Sequence, residues 1–172
     1  ILEIKSIGSL DIIIGISCSG KTPFVLEFLK QSKHHNAATS LITFNDINDI
    51  SYIDEILKVN VGPEIITGST RMKSGTATKM ILNMISTTTM IKLNKTYGNY
   101  MVDLRIMNKK LLDRGIRIIS AILGLAYKDS KNILEKSHGY VKNAIVMEKL
   151  KISFKESVSL LKKYSGSLRK IL

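Results

Sequence analysis

One cysteine, Cys18, stands among the 172 residues, so no internal disulfide framework is available and a reducing compartment, the cytoplasm, is expected. Long apolar runs are missing too. No stretch approaches the roughly 18 to 20 uninterrupted apolar residues of a membrane helix, no charged-then-apolar leader opens the chain, and no membrane partner is expected. Aromatic residues make up 6% and are not interleaved with basic ones, which removes the stacking platform of a single-strand nucleic-acid binder. Acidic residues are scarce, 14 against 26 Lys and Arg, and the net charge of +12 favours an anionic partner. The basic residues are scattered and form no run, so a phosphorylated metabolite or a plain Lys-rich solvated surface fits better than nucleic acid. Metal-ligand spacing is absent: His34, His35 and His138 read as surface residues, since adjacent histidines on a helix point to different faces. Cys18 has no base spaced near it and reads as a small filler, not a nucleophile.

What is present is a change of period. The chain begins at Ile1 without an initiator Met and soon enters the apolar run Asp11 to Ser17, a strand of the type buried in parallel sheets. The expectation is a chain cut in mid-fold, its first half-domain missing. Thr22 to Lys33 predicts a helix with Pro23 in its first turn, and Ala38 to Phe44 a second strand ended by the turn-formers Asn45 and Asp46. A third strand falls around Ile53 to Val61. From Ser69 the apolar residues Met72, Met80, Ile81, Met84, Ile85 and Ile91 recur at helical spacing, with Ser69 or Thr70 as the cap. A helix over Lys109 to Leu123 follows. Then Leu134-x-Lys136-x-x-Gly139-x-Val141-Lys142 is echoed by Leu161-x-Lys163-x-x-Gly166-x-Leu168-Arg169, which predicts two similar helix-Gly-helix units.

Two segments carry chemistry. Gly15 to Thr22 satisfies G-x-x-x-x-G-K-S/T between a strand and a helix, the pattern of a nucleotide phosphate loop. The same residues also read as Ser17-x-Ser19-Gly20-x-Thr22, which resembles the phosphate loop of the sugar isomerase family. In both readings amides and hydroxyls at a helix start hold a phosphate. Pro23 removes an amide from the first turn and biases Thr22 away from helical geometry, and no convincing acidic strand end offers itself to magnesium. By this motif alone the two readings stand level.

The second segment runs from Gly62 through Lys79. Gly62, Pro63 and Gly68 constrain a loop, Ser69 and Thr70 offer hydroxyls, and Arg71 and Lys73 add positive charge, a second anion-ready helix start. Glu64 is the only carboxylate in a motif loop; it could touch sugar hydroxyls or shuttle a proton, or it could pair with Arg71 or accept loop amides. The stretch Gly62 to Lys79 resembles the signature shared by N-acetylmuramic acid 6-phosphate etherases and glucokinase regulatory proteins, and Tyr97 to Asp103 also resembles the etherases. The resemblance, from about Asp11 to Leu172, implies an α/β fold: part of a sugar-isomerase-type doubly wound parallel sheet over residues 1–125, and a helical appendage over 126–172. It implies a lyase, needing neither metal nor other cofactor, that cleaves the D-lactyl ether of N-acetylmuramic acid 6-phosphate. The open-chain aldehyde acidifies carbon 2, a base takes that proton, lactate leaves carbon 3, and water adds back. The resemblance places the proton-transferring glutamates before the present residues, so this chain alone is expected to be inactive. Ser17, Ser19, Gly20, Thr22, Glu64, Ser69, Thr70, Arg71 and Lys73 are the implied substrate and phosphate contacts, Glu64 being the one catalytic candidate. A homodimer is implied. A non-catalytic sugar-phosphate regulator is the alternative, and a nucleotide-binding protein the third reading.

Overall fold

The computed structural model describes residues 6–172, which divide into two packing units, one running to Asn83 and one from Met84 to Leu172. The fold is α/β. In the first unit, strands β1 (Ile12–Ile16), β2 (Ala38–Thr43) and β3 (Glu55–Lys58) form a parallel sheet in the order β1-β2-β3. Ile12 pairs with Ala38, Ile16 with Ile42, and Thr43 with Lys58. Parallel neighbours need a crossover, supplied between β1 and β2 by helix α1 (Pro23–His34). Leu29 of α1, Leu41 of β2 and Ile53 form the core, with Ile13, Val25, Leu26 and Ile47 packed against it. Gly15 is required by that packing: a Cβ there would lie 2.7 Å from Val25 Cγ1 and 2.8 Å from Leu29 Cδ1.

The third strand is shorter than the apolar pattern suggests. Asp54, just before it, accepts from the Thr39 amide at 2.9 Å and pairs with Lys33, which holds its carboxyl below the usual range. After Lys58 the chain leaves the sheet, reaching Gly62 in the left-handed region at φ 66°.

Helix α2 (Lys73–Lys92) begins later than a cap at Ser69 or Thr70 would place it. Neither Ser69 nor Thr70 caps it; the first-turn amides go to Glu64 instead, as described below. Its apolar residues do not form a covered stripe either, since only Ser74 and Ile81 are buried.

After α2 comes a hairpin that the apolar pattern does not reveal, β4 (Thr96–Tyr97) and β5 (Tyr100–Met101), turning at Gly98 with φ 57°. Helices α3 (Lys109–Leu123), α4 (Tyr127–Lys136), α5 (Val141–Leu150), α6 (Phe154–Lys163) and α7 (Leu168–Ile171) follow. Their core holds Val102, Ile116, Ile119, Leu134, Ile145 and Leu168, with α5 the most buried element. The sequence echo is a structural one. Gly139 and Gly166, at φ 81° and 74°, donate to the carbonyls of Leu134 and Leu161, the residues that open the two copies of the motif. Ser153 and Glu156 close a capping box on α6. Among the described residues no helix is long and apolar enough to cross a membrane.

Candidate functional site

In an open parallel sheet, ligands bind beyond the carboxyl ends of the strands. The segment after β1 lies there and is organised around Ser17, which is 3% exposed. Ser17 Oγ lies 2.8 Å from Thr22 Oγ1 and 3.5 Å from Ser19 Oγ, and it accepts from the Thr22 amide at 3.4 Å. Ser19 Oγ accepts from the Lys21 amide at 3.2 Å. Thr22 is the N-cap of α1 in extended geometry (ψ 114°), as Pro23 demands, but its hydroxyl turns to Ser17 and does not cap the helix. The amides of Phe24 and Val25 consequently have no hydrogen-bond acceptor among the described residues, and they point out of the helix start where an anion is favoured.

Residues at the end of the second strand and in the turn that follows it hold this loop in place. Cys18 accepts at its carbonyl from Asn45 Nδ2 at 2.8 Å, Phe44 N at 3.1 Å and Thr43 Oγ1 at 3.3 Å. Gly20 sits at φ 71°, where a Cβ would meet Ile47 at 2.9 Å and Thr43 Oγ1 at 3.0 Å. The signal for Thr43, Asn45 and Ile47 was positional: they follow the neighbouring parallel strand, at the same end of the sheet.

The second loop closes on itself. Glu64 accepts from the Ser74 amide at 3.0 Å and the Lys73 amide at 3.1 Å, one through each oxygen, while Lys73 Nζ donates to the Pro63 carbonyl at 2.7 Å. These two amides, chiefly that of Ser74, hold the Glu64 carboxyl below its ordinary value. Glu64 is thus a helix cap, and acting as a proton shuttle would require releasing α2. Lys73 is likewise committed to the loop. Ser69 donates its amide to Ile66 at 2.9 Å, while Thr70 and Arg71 are exposed. A cavity of about 520 Å3 lies beyond β2 and β3, lined by Phe44, Asn45, Asp46, Lys58, Asn60 and Pro63. Asn45 therefore borders the cavity and braces the first loop, whereas no hydrogen bond joins the Ser17 cluster to the Glu64 cluster. His34, His35 and His138 are all exposed.

The sign of the Glu64 shift gives a pH dependence. A carboxyl whose folded pKa lies below its unfolded value of 4.5 contributes stability that is present above that value and is lost as pH falls through the folded pKa. Glu64→Gln should already be less stable at neutral pH and should lose less on acidification. Thermal denaturation of both proteins across the acid range checks this; parallel profiles would rule out Glu64 as the cap.

The fold and loops define an α/β protein with a hydroxyl-rich strand-to-helix loop after its first described strand and a helical carboxyl-terminal unit. Residues 98–160 match the family described as the C-terminal lid domain of glucokinase regulatory protein. Curated relatives match nearly the whole chain. N-acetylmuramic acid 6-phosphate etherase 1 of Bacillus licheniformis is 45% identical over 172 residues, 99% of this chain and 57% of the relative. The N-acetylmuramic acid 6-phosphate etherase of Geobacillus sp. (strain WCH70) is 44% identical, across 99% of this chain and 59% of its own. That of Petrotoga mobilis is 48% identical over 147 residues, 85% of this chain and 49% of its own. Over the stretch it spans, the chain is similar to N-acetylmuramic acid 6-phosphate etherases. It spans less than two thirds of these relatives' length.

Proposed function

We propose that the whole protein is a cytoplasmic, homodimeric carbon-oxygen lyase that releases D-lactate from N-acetylmuramic acid 6-phosphate, and that these residues grip the 6-phosphate. The observation that carries this is the cluster of Ser17, Ser19 and Thr22 hydroxyls beside the free amides of α1. A nucleotide loop would need Lys21 on the phosphates and a Thr22 hydroxyl free for magnesium. Here Lys21 is exposed and the Thr22 hydroxyl is held by Ser17. The reaction removes a proton from carbon 2, breaks the bond from carbon 3 to the ether oxygen so that lactate leaves, and adds water across the resulting double bond. The balance is substrate plus water to N-acetylglucosamine 6-phosphate plus lactate. Glu64 is engaged in capping α2, and the resemblance to the etherases assigns proton transfer to glutamates that have no match among the present residues. Ser69, Thr70 and Arg71 complete the sugar-phosphate contacts.

The match to a regulatory-protein lid over residues 98–160 favours a second reading, a sensor that binds the sugar phosphate without turning it over. Release of D-lactate by the full-length protein separates the two.

The binding claim is tested on the chain itself by calorimetry with N-acetylglucosamine 6-phosphate, N-acetylglucosamine and magnesium ATP. Ser19→Ala should weaken the phosphorylated sugar alone, by about 1.5 to 3 kcal/mol, the worth of a hydrogen bond to a charged group. Lys21→Ala should stay within about tenfold, roughly 1.4 kcal/mol. Tight ATP binding that disappears in Lys21→Ala would make the nucleotide reading the leading one.

A further inference from the structure

The second unit contains a cavity of about 290 Å3 whose walls include Lys95, Asp103, Tyr140, Lys142, Ser165 and Gly166. Lys142 is the one buried lysine among the described residues, its side chain 10% exposed. Its contact with an acid is to Asp103 Oδ1 at 3.8 Å, longer than a hydrogen bond, and the other oxygen of Asp103 is taken by Lys95. Two ammonium groups thus share one carboxylate, leaving an uncompensated positive charge at a largely dehydrated position.

The surroundings add to that surplus. Lys142 lies in the first turn of α5, where the helix dipole already disfavours a cation. The N-cap Tyr140 supplies no side-chain acceptor, and the amides of Val141, Lys142 and Asn143 have no acceptor among the described residues although all three residues are buried. Gly166 keeps the space beside the ammonium clear, since a Cβ there would stand 3.1 Å from Lys142 Nζ. Burial pushes the Lys142 pKa down, with Asp103 opposing the shift.

We propose that this cavity binds a small oxyanion, a phosphate or a carboxylate, which accepts from Lys142 and Lys95 and faces the amides at the start of α5. An oxyanion supplies the missing negative charge and the missing acceptors at once. The site lies wholly within the second unit and shares no residue with the Ser17 to Thr22 loop, so it stands or falls apart from the function proposed above.

The test is residue-resolved amide NMR of the 172-residue chain, titrated separately with inorganic phosphate and with D-lactate against sodium chloride of equal ionic strength. Saturable shifts at Lys142, Asn143 and Gly166 are expected for at least one anion; the one that saturates identifies the ligand as phosphoryl or carboxylate. Shifts at Ser19 and Gly20 report the other loop separately. Lys142→Met should weaken the response at least tenfold, while Lys151→Met, at an exposed lysine, should leave it unchanged. Should Lys142→Met fail to fold, Lys95→Met at the cavity rim gives the same reading. No saturable shift with either anion, or an undiminished one in these cavity variants, overturns the site.

Discussion

Replacing Gly20 with valine should abolish measurable binding of N-acetylglucosamine 6-phosphate, a loss of more than about 100-fold, or roughly 2.7 kcal/mol. Two costs combine at this position. The backbone is at φ 71°, where a side chain costs about 1 to 2 kcal/mol. A Cβ would also stand 2.9 Å from two atoms of Ile47 and 3.0 Å from Thr43 Oγ1. Relieving these contacts means displacing Ile47, shifting Ser19 and Lys21, or moving Thr43 away from the Cys18 carbonyl that it braces. With the backbone at Gly20 also strained, a movement of the loop spreads the Ser17, Ser19 and Thr22 hydroxyls. Calorimetry with the phosphorylated and plain sugars, beside a thermal melt to show that the fold persists, measures the effect. Binding within tenfold of the parent would mean that the loop does not hold the phosphate.

Gly15→Val should be strongly destabilising, lowering stability by about 3 kcal/mol, the upper part of the usual range for overpacking. For a unit of this size that corresponds to a fall of roughly 10 °C or more in its melting temperature. The new side chain would begin 2.7 Å from Val25 Cγ1 and 2.8 Å from Leu29 Cδ1, and Leu29 is itself fully buried between helix and sheet. With a core resting on Leu29, Leu41 and Ile53, α1 has little room to retreat without uncovering the sheet. Hydrogen exchange at Leu41 and Ile42 reports on that sheet directly. Unchanged protection there would mean that α1 can shift at little cost.

Much of the architecture was legible because its determinants are local. The apolar run before Ser17 places β1, Pro23 after Thr22 starts α1, and the two Leu-x-Lys-x-x-Gly motifs mark left-handed helix ends, since glycine alone enters that conformation without a steric cost. The candidate loop was legible for the same reason: Ser17, Ser19 and Thr22 lie within six residues, and they meet because a tight turn joins a strand to a helix. The β4-β5 hairpin escaped because two-residue strands carry no alternation.

The sequence by itself determined the first strands and the main helices, the Ser17 to Thr22 loop between β1 and α1, and the resemblance carried by the Gly62 to Lys79 segment. Only the tertiary structure decided which side chain caps α2. Ser69 and Thr70 were the nearer choice in sequence, but the chain reverses at Gly62 and Gly68 and brings the Glu64 carboxylate onto the amides of Lys73 and Ser74. Likewise, nothing local marks Asn45 as the brace of the Cys18 carbonyl, or Lys142 as a buried cation beside Asp103. The physical reason is common to all three: a hydrogen bond or ion pair between residues far apart in sequence depends on where packing places their backbones, and residue type alone does not specify that.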